Sequence, residues 1–206
     1  MGKKDLLQGD LDKVHKCLVN IIQSFEFCYY LNYPKNNDKL DEKNFKYISR
    51  SGFFTFTRYA LWRVAIVELS KLLNPVKTTD KYNIYHILNK LKKDGDYRSL
   101  KCDQEIIIKW EEILSQHSKS IVEVRSLRMK LYSHIDHDYK KIIEESNLTL
   151  RETQSLINAI VLIITEIYFV LFDRSISFGP IYPDKELKRI IDSILVQRDN
   201  FNIRRG

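Results

Sequence analysis

Thr149-Leu150-Arg151-Glu152 opens a segment that stays apolar on most of its circumference as far as Phe172, and no other stretch constrains the fold as much. At this spacing the threonine hydroxyl and the glutamate carboxylate form a capping box, each satisfying an open backbone N–H at the start of a helix. A helix that is apolar nearly all round has no broad face to offer to water. It has to be the central strut of a helical core, one side of a subunit interface, or a membrane span. Residues 156–172 number seventeen and include Asn158, Thr165 and Glu166, whereas a span takes roughly 20 consecutive apolar residues. A core or interface helix is therefore expected, and no membrane partner.

The rest of the chain carries the same period. Val14, Leu18, Ile21, Ile22, Phe25 and Tyr29 fall at helical spacing and predict a first helix over 11–33, ended by Tyr33-Pro34 and followed by a polar loop over 35–43. A second, longer helix is expected over 45–73, stopping at Leu73-Asn74-Pro75, with Gly52 separating a short lead-in from its main body. Thr79 or Asp80 can cap a third that ends near Lys93, before the turn Asp94-Gly95-Asp96. A fourth runs from about 103 to 135, bent near 116–118, and closes in the polar tail 134–141. After the fifth, Phe178-Gly179-Pro180 breaks the chain, and Asp184 caps a last amphipathic helix to about 196. No segment alternates with period two, and six Gly and four Pro in 206 residues leave few turns. The expected fold is all-α: one domain of about five to six helices, with the bundle over 10–175 and a C-terminal loop and helix over 176–206.

A formal charge of +7 assists binding to phosphates. Residues 35–101 carry fifteen Lys/Arg against seven Asp/Glu, so much of the excess is a lysine-rich surface in that segment. Cys17, Cys28 and Cys102 are odd in number and too scattered for a zinc motif or a disulfide framework. Beside a start without a secretory pattern, they read as neutral thiols of a reducing cytoplasm. His15, His86, His117 and His137 show no spacing with Cys or carboxylates that makes a metal site, and His117 reads as a core histidine. No phosphate-cradling glycine loop is present, so neither a cofactor nor a metal is expected.

One stretch does not fit a merely structural helix: Leu127-Arg128-Met129-Lys130-Leu131-Tyr132-Ser133-His134-Ile135-Asp136. On a wheel of ~100° per residue, Arg128 falls in the apolar stripe of Trp110, Leu114, Ile121, Val124, Leu131 and Ile135. Three and four positions away stand Val124, Arg125, Leu131 and Tyr132, none of them a carboxylate. A guanidinium aimed at an apolar face needs a partner from elsewhere: another helix, another subunit or a phosphate. Glu68, which shares a wheel sector with Leu61, Val64, Ala65 and Leu72, is an internal candidate, and a buried pair of this kind is often structural. His134 at the helix end can interact with free carbonyls and with Asp138.

The string around Arg128 and His134 resembles the signature of HEPN domains, small helical bundles that carry an arginine, four to six variable residues and a histidine. It is most similar to the abortive-infection branch, which reads approximately Leu-Arg-polar-Lys-x-x-Ala-His-x-Asp. Glu68-Leu69-Ser70-Lys71-Leu72-Leu73-Asn74-Pro75 is similar to the second-helix end of that branch, and the likeness extends over the helices of residues 10–175. Met129 departs from the pattern, which commonly has a polar residue directly after the arginine.

The resemblance implies a metal-independent endoribonuclease in a toxin or phage-defence setting, working as a homodimer on RNA. An antitoxin or nucleotidyltransferase is the implied protein partner. A ribose 2′-hydroxyl would attack the neighbouring phosphate. Arg128 would clamp phosphate oxygens through its planar fork, and His134, with an ordinary pKa near ~6.5, would transfer protons. Glu68, Arg125 and Asp136 would support them, Asp136 by holding the other imidazole nitrogen. Six positions correspond to about 240° of helix rotation, so one copy makes a poor site and two facing motifs a better one. Two rival expectations stand beside this one: a non-catalytic HEPN dimer that binds nucleotides, RNA or protein, and an unrelated helical interaction module.

Overall fold

The computed structural model describes residues 2–32, 42–74, 83–133, 146–179 and 183–203, and among them there are eight α-helices and no strand. The helices are α1 (Lys3–Asn32), α2 (Glu42–Arg50), α3 (Gly52–Leu72), α4 (Ile84–Leu91), α5 (Gln104–Gln116), α6 (Ser118–Ser133), α7 (Leu150–Phe172) and α8 (Pro183–Ile203). A 3₁₀ turn, Arg98–Leu100, lies between α4 and α5. The all-α expectation holds, and the count exceeds five to six because two long helices are each divided. Ser51 separates α2 from α3, next to the Gly52 break read in the sequence. At His117 the backbone leaves helical geometry (φ −100°, ψ 13°), its N–H turning to the carbonyls of Leu114 and Ser115. This half-buried residue ends α5; it is a junction residue and not a core histidine.

The described residues form two compact units. Residues 2–22, 63–74, 83–133 and 146–179 make the first, and residues 23–32, 42–62 and 183–203 the second. In the first, α7 is a central strut. Its capping box is formed, with Thr149 N–H donating to Glu152 Oε2 at 2.8 Å and Glu152 N–H to Thr149 Oγ1 at 3.1 Å. Leu156, Ile160, Ile163, Ile164 and Ile167 are completely buried, and α5 and α6 both pack against the helix. By length and composition α7 is the one helix among the described residues that suits a membrane span; here its buried face is core. Glu166 is explained by α5: Trp110 Nε1 donates to its Oε2 at 2.6 Å, and Lys109 Nζ lies 3.5 Å from Oε1.

Polar pairs fasten α1 across this unit. Asp10 accepts from Lys90 Nζ at 3.1 Å and Tyr97 Oη at 2.8 Å. Asp12 accepts from Gln8 Nε2 at 2.7 Å and Tyr168 Oη at 3.0 Å. The turn after α4 demands its glycine, since a Cβ on Gly95 would stand 2.3 Å from the Lys90 carbonyl oxygen. Asn83 caps α4, its side chain accepting from His86 N–H; Thr79 and Asp80 lie outside the described residues, as does most of the loop expected over 35–43. In the second unit, Tyr30, Leu31, Ile48, Phe54, Ile191 and Leu195 make the core. The last helix begins at Pro183 and reaches Ile203, seven residues beyond the expected end, a first position that suits proline's fixed φ and missing N–H.

Candidate functional site

The candidate site is built on α6. Ile121, Val124 and Leu127 are its buried face, which sets the middle of the stripe between Val124 and Leu127. Arg128 is half-buried: it lies on the flank of the stripe and not at its centre. That placement suits a guanidinium, because the aliphatic stem can cover apolar surface while the head reaches polar surroundings. Arg125, one turn earlier, is also half-buried on the same flank. Its charge acts on Tyr85 of α4, lowering a phenol pKa that burial, the larger effect, raises. Met129 and Lys130 face solvent, Met129 with 72% of its surface exposed.

α6 runs to Ser133, and His134 and Asp136 lie outside the described residues. The geometry available for the motif is therefore that of its arginine end.

Glu68, on α3, has two partners that the sequence reading did not assign to it. Lys71 pairs with Oε1 one turn along the same helix, and the Cys17 thiol of α1 donates to Oε2 at 3.2 Å. Burial, then the hydrogen bond and charge of Glu68, push the Cys17 thiol up to about 12. Cys28 is pushed up to about 12 and Cys102 to about 11, chiefly by burial. All three are neutral thiols, as the scattered spacing suggested, and poor nucleophiles. Cys17 could not have been singled out from the sequence: 51 residues separate it from Glu68, and only the packing of α1 on α3 brings them together.

The family model for AbiU2, a HEPN-type abortive-infection family, matches residues 10–190. The chain belongs to the AbiU2 family. No curated protein and no solved structure matches it. Membership makes this an abortive-infection HEPN domain and accounts for the helical architecture. It also shows that the stretch holding Arg128 and His134 lies inside a HEPN domain, together with Glu68, Arg125 and Asp136. Among the described residues of this AbiU2-family chain, no group of three or more His, Cys, Asp or Glu side chains is arranged to hold a metal ion.

Proposed function

We propose that this AbiU2-family protein is an endoribonuclease that cleaves RNA without a metal, from a composite site built by two copies of the chain in the cytoplasm. The observation that carries the reading is Arg128 itself, half-buried on the flank of α6 one turn from Arg125 and six residues before His134. A guanidinium is a planar fork of donors that matches the oxygens of a phosphate. His134 would take the proton of the 2′-hydroxyl or return one to the leaving 5′-oxygen. Arg128 would stabilise the charge that builds on the phosphate. A net charge of +7 draws polyanions to the protein.

Exposed apolar residues on α6 and α7 support the homodimer. Val122 and Met129 stand two turns apart on α6, and Leu162 and Phe169 do the same on α7; their exposures run from 46% to 72%. Large apolar side chains on two helices that pack together suit a self-complementary interface near Arg128. The exposed Met129 directly after Arg128 also favours a second reading, a non-catalytic dimer that binds nucleotides, RNA or a protein such as an antitoxin.

The test of the chemistry is product analysis. RNA incubated with the protein in excess chelator should still be cut, leaving 2′,3′-cyclic phosphate ends. A strict magnesium requirement, or 5′-phosphate products, would overturn the mechanism.

A further inference from the structure

α3 is apolar on two opposite faces. On a wheel of ~100° per residue, Phe54, Trp62, Ala65, Ile66, Leu69 and Leu72 fall on one side of the helix, and all six are buried. Phe53, Phe56, Ala60, Val64 and Val67 fall on the other, within an arc of about 80°. Their spacing is i, i+3, i+7, i+11 and i+14. Gly52–Leu72 is one helix throughout, so the five form one stripe, about 21 Å long at the helical rise. Phe53 is 67%, Phe56 63% and Val64 44% exposed, and Ala60 and Val67 are half-buried. A helix that is apolar all round is ordinarily covered all round; this one has its outer face open.

The spacing of the stripe is that of a seam between paired helices, where apolar residues recur three and four positions apart. Its charge is one-sided. From Gly52 to Val67 the sequence has two arginines and no Asp or Glu. Arg63 borders the stripe and is exposed. Tyr59, Ala60, Ile66 and Val67, three and four positions away, offer it no carboxylate, and among the described residues it forms no ion pair. A helix laid along the stripe, with an acidic residue beside its own apolar seam, would cover the rings and meet the guanidinium. A second copy of α3 does not supply that acid, because its one carboxylate, Glu68, is held by Lys71 and the Cys17 thiol. A lipid surface calls for a row of cations beside the apolar face, and here Arg63 stands with Lys71, which is already paired. We infer that the outer face of α3, with Arg63 at its edge, is a docking surface for an acidic amphipathic helix of another protein. Nothing in it depends on the Arg128–His134 motif or on RNA cleavage.

The test is fluorescence anisotropy of a labelled three-heptad peptide, leucine at its seam positions and glutamate beside them, titrated with the full chain. Glutamates flanking the seam repel in a peptide dimer, so the probe stays single. A control peptide carries lysine in place of every glutamate. The glutamate peptide should bind, and the lysine peptide about tenfold more weakly or worse. Phe53→Ala/Phe56→Ala should weaken the glutamate peptide by about tenfold or more. Arg63→Glu, a change at an exposed position, should remove the preference for glutamate. Thermal melts show whether each variant is folded, and if the double alanine variant is not, Arg63→Glu decides alone. The inference is overturned if the glutamate peptide does not bind, or if both peptides bind the parent equally. A preference for glutamate that survives Arg63→Glu would come from the net charge of +7 and would overturn it too. So would a double alanine variant that loses self-association in sedimentation, or binding to anionic vesicles, while its affinity for the peptide is untouched.

Discussion

α7 and the α2–α3 segment are both rich in apolar side chains, and they use them in opposite ways. α7 turns Leu156, Ile160, Ile163, Ile164 and Ile167 into the core of its unit and places Glu166 where Trp110 can meet it. Along α2 and α3, Phe54 is buried at 2% exposure while its neighbour Phe53 is 67% exposed. Hydrophobicity read along a chain identifies a helix; what lies opposite each face decides whether a ring is core or surface. The apolar content of α7 is structural, whereas Phe53 and Phe56 stand mostly exposed.

Replacements at each region sharpen this contrast. The largest effect belongs to the α5–α7 contact. Trp110→Ala empties a fully buried site and removes the donor to Glu166, and should cost about 3–5 kcal/mol in urea unfolding. Phe54→Ala belongs to the same range in the second unit. A loss below about 1 kcal/mol at either position would mean that these residues are not core.

Thr149→Ala should cost about 1 kcal/mol through loss of the helix cap, and Glu152→Gln should change the pH dependence. Hydrogen bonds from Thr149, the backbone N–H first, hold the Glu152 carboxyl below its usual range. That stabilisation is present above the unfolded carboxyl pKa and fades as pH falls through the lower folded value. Unfolding midpoints measured from pH 7 down to pH 3 should therefore converge for the wild type and Glu152→Gln. Parallel curves would show that the capping carboxylate contributes nothing.

The smallest effect is expected one residue from the core position. Phe53→Ala should change stability by less than about 0.5 kcal/mol. A loss comparable to that of Phe54→Ala would show that Phe53 is structural, and the contrast with α7 would collapse.

What the sequence made legible follows from how local each signal is. The capping box, the break beside Gly52 and the bend near 116–118 are written in neighbouring residues, and all three are found. α1 starts at Lys3, eight residues before the start at residue 11 that periodicity predicts. Leu6, Leu7 and Gly9 show no clear period alone, yet Leu7 and Leu11 continue the buried face of α1, and the Gly2 N–H finds the Asp5 carboxylate at 2.9 Å. Contacts that depend on distant packing left no local trace. Cys17 meets Glu68, Asp10 meets Tyr97, and Asp12 meets Tyr168 across 51, 87 and 156 residues. At the candidate site, the Arg–His string points to the HEPN family, and periodicity sets Arg128 inside an apolar stripe of which it occupies the flank. The junction at His117 breaks that stripe into two helices, and the buried residue beside Val124 is Leu127.

The central claim is that His134 and Arg128 perform chemistry, and the most direct measurement is the rate of RNA cleavage by His134→Ala beside the wild type, with melting temperatures recorded for both. The account predicts a fall of roughly 10²–10⁴, the usual contribution of a general acid or base, with the melting temperature unchanged. Cleavage at the wild-type rate by a folded His134→Ala protein would contradict it and leave the non-catalytic dimer as the better account.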